Sequence, residues 1–202
     1  MKKLLLISFL VLLVVAGCRQ MIFWKFGMHN PEPETPESLV AFLKEMNQPL
    51  ASQYVFTDSA SYLRFIWSPF FSKHLMSTLF YSEKGHLSQY VDSNKCQWSG
   101  VYYIARLRRD TIYFTDTANR YQSLVPYILP LGQGPGLNQD TVRYDFTLLI
   151  PWGKFIGRYN ERLFASDLAV KQNPNAKIRI IYLNIDMQKS WNLRKDQYLV
   201  FK

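Results

Sequence analysis

The chain has 202 residues, with 24 Lys and Arg against 15 Asp and Glu, a formal charge of +9 and two cysteines. That length suffices for one domain with a real hydrophobic core. The basic surplus favours anionic partners, either lipid headgroups or acidic glycans, and two thiols exclude a disulfide-stapled scaffold.

The chain opens "MKKLLLISFLVLLVVAGCRQ". Lys2 and Lys3 make a short basic start, and Leu4 to Val15 is apolar except for Ser8. This is the length of a secretory h-region and short for a bilayer span. Ala16, Gly17 and Cys18 follow. Small residues directly before a cysteine resemble the lipobox of bacterial lipoproteins. The resemblance implies cleavage before Cys18, with lipid on its thiol and on its new amino group. A plain cleaved signal is the alternative. Losing Lys2 and Lys3 lowers the basic count to 22 against 15 acids, a mature charge of +7. The expected location is the cell envelope, outside the cytoplasm and held to a membrane by buried lipid chains. An exported lipoprotein is a poor candidate for nucleic acid; the membrane, an envelope protein or an acidic glycan are the expected partners.

Residues 18–35 read as the lipidated cysteine and a tether, because "HNPEPETPE" carries three prolines and three glutamates, which favours an extended spacer. Thr35 and Pro36 predict a helix start. Leu39, Phe42, Leu43 and Met46 then recur on one helical face. A strand is predicted over 53–58, and a helix over 59–67 capped by Asp58 or Ser59. Two strands over 77–91 turn at Glu83-Lys84-Gly85. A helix is predicted over 99–109, a strand over 111–116 and a helix over 118–128, although Pro126 opposes the last. Residues 130–140 read as a Gly/Pro loop. A strand over 145–150, a helix over 154–172 and a β-branched strand over 177–186 then predict a right-handed βαβ unit.

"LLIPWGKFIGRYNERLF" followed by "KIRIIYLNIDMQKSW" resembles the first βαβ of thioredoxin-like proteins, closest to membrane-attached thiol–disulfide oxidoreductases. There the strand ends in an aromatic, W-C-x-x-C opens the helix, and the next strand closes on Asp. Trp152 matches the strand-end aromatic, Phe155 the Trp, and Asp186 the acid. Ile156 and Tyr159 fall on the two Cys positions. "MSTLFYSEKGHLSQY" is similar to the family's P-T-x-F…D-x-x-G hairpin at Thr78, Phe80 and Gly85, with Met76 where the cis-proline would stand. In the family the hairpin follows the first βαβ; here it precedes it, which implies a permuted order. The resemblance implies a single α/β domain over 36–202, a three-layer thioredoxin-like fold with a mixed sheet flanked by helices. Without the two thiols it implies a redox-inactive scaffold or binding module needing no cofactor.

Three other features carry chemistry. Cys96 can pair with a partner's thiol or serve as a one-cysteine redox group; a small half-buried hydrophobe is its plainer role. Lys154 and Arg158, at the start of the predicted helix, are candidates for holding an anion. Asp58 and Asp186 both end predicted strands, where carboxylates can bind a cation or move protons, while helix capping accounts for Asp58 more simply. His29, His74 and His86 lack metal-ligand spacing. G-x-G-x-G in "LPLGQGPG" does not follow a strand into a helix, so it is no dinucleotide fingerprint. No G-x-S-x-G, G-K-[ST] or H-E-x-x-H is present. The expected function is binding or scaffolding at a membrane; thiol–disulfide exchange through Cys96 and binding of acidic polysaccharide are the alternatives.

Overall fold

A computed structural model describes residues 24–72, 75–82, 85–87, 103–105, 107–108, 114–116, 120–132, 136–137 and 142–198. The predicted leader, Cys18, Cys96, His74, most of the predicted 99–109 helix and the centre of the predicted 130–140 loop lie outside these residues. No described helix is long and apolar enough to cross a membrane.

The strands are β1 (Gln53–Phe56), β2 (Leu79–Ser82), β3 (Gly85–Leu87), β4 (Phe114–Asp116), β5 (Ile128–Pro130), β6 (Phe146–Trp152) and β7 (Ile178–Asn184). They form one mixed sheet in the order β4-β3-β2-β6-β7-β1-β5. β6 and β7 pair in parallel over seven residues, from Phe146↔Ile178 to Trp152↔Asn184, and β1 continues parallel on the far side of β7. The hairpin β2–β3 lies antiparallel beside β6. β6 is buried along its whole length, as its unbroken apolar run requires of a central strand. Pro151 fits there for a local reason. The Trp152 carbonyl accepts from Ile185 N–H at 2.8 Å, so Pro151 turns its missing N–H away from β7. On that other side the β2 ladder has already ended at Leu79↔Leu149.

The helices are α1 (Pro36–Glu45), α2 (Ser59–Ile66), the short α3 (Pro69–Ser72), α4 (Tyr159–Phe164) and α5 (Ser166–Lys171). α1 starts on Thr35, whose side chain accepts from Ser38 N–H while Ser38 Oγ accepts from Thr35 N–H. It buries Leu39 and Leu43. Asp58 caps α2 by accepting from Ser61 N–H at 2.7 Å. Helices cover both sheet faces. Tyr182 packs on Phe164 of α4, and its register partner Gln53 shares that face. Phe56, three residues on, points the opposite way and packs on Tyr62 and Phe65 of α2.

Two predicted helices come out differently. Of the predicted 118–128 helix, the described residues from Arg120 onward form two 3₁₀ turns, Tyr121–Ser123 and Val125–Tyr127, that run into edge strand β5. Pro126 removes a donor that a continuous helix would need. Residues 154–172 break into a 3₁₀ turn (Lys154–Ile156), α4 and α5. Gly157, at φ 55° and ψ −136°, is outside the helical region and divides the first two.

The predicted tether also differs over its second half. Phe26 and Met28 pack against the core. His29 N–H donates to the Phe155 carbonyl at 2.9 Å, and Arg158 N–H to the Phe26 carbonyl at 2.7 Å. Glu34 forms a parallel bridge with Gln188. Proline stiffness there serves to hold the segment along the domain, since a pre-extended chain loses little entropy on docking.

Candidate functional site

The carboxyl ends of the parallel strands β1, β6 and β7 share one edge of the sheet, the usual place for a site in α/β proteins. Three chain segments meet there: the β6–α4 junction, the end of β7, and the docked segment Phe26–Glu34. Beyond β7, Ile185 bonds back to Trp152, and the next residue, Asp186, turns its carboxylate inward beneath the junction. Its Oδ2 accepts from Lys154 N–H at 2.8 Å and from the Asn184 amide at 2.7 Å. Its own N–H donates to Asn184 Oδ1 at 3.2 Å. Oδ1 is buried with no hydrogen-bond partner. Gly153 makes the close approach possible, because a Cβ there would lie 2.6 Å from the Phe155 ring and 3.2 Å from Asp186 Oδ1.

Burial pushes the Asp186 carboxyl up to about 6, with the Glu34 charge adding to the effect; the Lys154 N–H and the Asn184 amide oppose it. Tyr62 faces this carboxylate from α2. Burial, then the Asp186 charge, push its phenol well above the ordinary range, and its hydroxyl is buried without a hydrogen-bond partner. A carboxyl titrating near 6 matches what a general acid or base needs. Asp186 is 1 % exposed, however, and its hydrogen bonds all run to the junction itself. An open cavity of about 470 Å³ lies between Pro33 and the Met187–Tyr198 segment, and Asp186 is not part of its lining. The carboxylate's hydrogen bonds organise the junction, and it does not line this cavity.

The positions expected from the sequence are distributed as follows. Ile156 and Tyr159 are both buried, and Tyr159 meets Phe26 edge to face, with centroids 5.7 Å apart. Met76 is half-buried against the core. It lies in the turn just before β2, whose first residue Leu79 pairs with Leu149 of β6. Lys154 Nζ is matched by Glu34 at 2.7 Å, so an anion there would have to displace a carboxylate. Arg158 is exposed and donates to the Lys25 carbonyl at 3.2 Å. The two cations engage different partners. Asp58 shares the sheet edge with Asp186 but is exposed, and Ser61 and Thr57 hold its carboxylate below the usual range through hydrogen bonds. His29 is exposed, with Nδ1 against the Asn30 carbonyl.

Asn160, Glu34, Asn184 and Tyr62 belong to the site and carry no signal in local spacing. Asn160 is fully buried, and its amide donates to the Gly153 and Gly157 carbonyls at 2.8 and 2.9 Å, clamping the junction. Asn160→Ala should lower stability by about 2 kcal/mol, because two buried carbonyls lose a donor. Denaturant unfolding of the variant checks this; an unchanged midpoint would show that the clamp is dispensable.

The chain matches no known family model, no curated protein and no solved structure. The class is α/β with a mixed sheet, and any narrower assignment rests on the site.

Proposed function

We propose that this chain is a bacterial envelope lipoprotein, acylated at Cys18, whose thioredoxin-like domain exchanges no dithiols and works by binding or scaffolding at the membrane surface. The observation that carries the reading is what stands at the β6–α4 junction. Where the family resemblance implies two thiols, Ile156 and Tyr159 are hydrophobes packed into the core, and the segment from Phe26 to His29 lies on the turn between them. A hairpin laid antiparallel against the first strand of a βαβ unit supports assigning both resembling pieces to one sheet. No group in this arrangement can form a thiolate or a disulfide.

The test is turnover of a disulfide substrate such as insulin by the purified protein, beside its Cys96→Ser variant. The expected result is no reduction above the uncatalysed rate in either. Turnover by the wild type that disappears in Cys96→Ser would replace this reading with a one-cysteine oxidoreductase.

A further inference from the structure

We infer that Trp24, Lys25, Arg158 and Arg162 form the face by which the domain rests on an anionic lipid surface, an inference that depends on the acylation of Cys18 proposed above. Lys25 Nζ and the Arg162 guanidinium both lie over the Phe26 ring, 6.0 and 4.9 Å from its centroid. The Arg158 guanidinium bonds the Lys25 carbonyl. Two cations thus lie over one aromatic ring, and a third is bonded to the backbone beside it. All three are exposed, and none is ion-paired among the described residues. Glu161, exposed on the same short helix, leaves the group with a net charge of +2. Beside them Trp24 is 84 % exposed, the highest among the exposed large hydrophobic residues described. An indole left in water next to unpaired cations is the combination that a bilayer interface accepts: the ring settles at headgroup depth and the cations face lipid phosphates.

Chain length supplies the second argument. Cys18 to Trp24 is six residue steps, so even fully extended it reaches only ~20 Å. From Phe26 onward the chain is bonded to the domain at Arg158 and Phe155. Lipid on Cys18 therefore keeps this face close to the headgroups, and the docked segment limits how far the domain can turn away. Attraction screened over about 8 Å in physiological salt then acts at short range, where it is effective.

The acylated full-length protein, reconstituted in vesicles of phosphatidylethanolamine and phosphatidylglycerol carrying brominated acyl chains, tests this. Quenching of tryptophan emission is compared between wild type and Trp24→Phe, and the difference isolates Trp24. The expected result is a quenched Trp24 contribution that is lost in vesicles of phosphatidylcholine alone, in high salt, and in a Lys25→Gln, Arg158→Gln, Arg162→Gln variant. Equal quenching of wild type and Trp24→Phe would overturn the inference without touching the anchor. The Trp24→Phe comparison needs no charge variant, so it decides even if the triple variant misfolds. A protein whose mass shows an uncleaved leader and no acyl chain would overturn the anchor, and this orientation with it.

Discussion

Gly157→Ala should lower stability by about 3 kcal/mol or more, or else release the N-terminal segment from the domain. Gly157 has φ 55° and ψ −136°, a conformation closed to residues with a Cβ, and strain of this kind costs about 1–3 kcal/mol by itself. The added methyl would also stand 2.2 Å from the Phe26 carbonyl oxygen and 2.7 Å from that of Gly27. Both are backbone atoms, so no side-chain rotation relieves the overlap. Moving Phe26 away breaks its 2.7 Å bond from Arg158 N–H and separates its ring from Tyr159 and Arg162. Denaturant unfolding measures the first outcome, and limited proteolysis between Trp24 and Glu34 measures the second. A variant as stable and as protease-resistant as the wild type would mean that the segment does not dock in this way. Loss of the segment alone, with the rest of the domain intact, would also expose the Tyr159 face.

Asp186→Asn should raise stability at neutral pH and abolish the pH dependence expected of the wild type. Burial moves the Asp186 carboxyl from its ordinary 3.8 up to about 6. Between those values the folded chain holds a proton that the unfolded chain has released. Stability therefore falls as pH rises through that window. Below it both states are protonated and the group costs nothing; above it both are ionised and the full penalty stands. A shift of this size corresponds to a penalty on the order of 3 kcal/mol. Asparagine is neutral throughout and keeps an oxygen for Lys154 N–H and the Asn184 amide. Its amide nitrogen takes the place of Oδ1, which has no partner, so part of the gain is lost. The expected net gain is about 1–2 kcal/mol at pH about 7 and little or none at pH about 4. Unfolding midpoints of both proteins across this range are the measurement. Parallel stability curves would show that Asp186 ionises in the folded state as it does in solvent, and would remove the buried acid from the description of the site.

The tolerance of such a residue says something about the junction. The buried Asp186 carboxylate is kept in place by bonds that run to the turn above it, so its work is local. It terminates β7, receives the Lys154 N–H and fixes where the chain leaves β6. The cation that faces this region, Lys154, is matched to Glu34 instead, a partly exposed pair whose own contribution is small.

Elements governed by neighbours in sequence were legible. The Thr35-Pro36 start and the Leu39/Leu43 stripe define α1 within one turn of chain. Asp58 caps α2 through a residue three positions on. The run from Phe146 to Trp152 is a strand because every one of its residues is buried. The βαβ order followed from periods that switch from strand to helix and back. Residues 120–128 and 154–172 depart from continuous helices for a shared reason. Their apolar spacing suits a helix, while Pro126 withholds a donor and Gly157 yields to a backbone that arrives from 130 residues earlier in the chain.

By itself the sequence determined the charge, the lipobox-like pattern around Cys18, the α/β alternation and the absence of any cysteine in the β6–α4 segment, because each is set by residue identity or by short spacing. Only the tertiary structure decided that the Pro/Glu segment lies along the domain, that Lys154 answers Glu34, that Asn160 ties Gly153 to Gly157, and that Asp186 is buried with one oxygen unpartnered. Those contacts join residues up to 155 positions apart, as Lys189 N–H does with the Glu34 carbonyl. Separation in sequence holds no record of which distant groups a closing sheet will bring within hydrogen-bond reach, and burial, which moves the Asp186 proton, exists only once that sheet and its helices have packed.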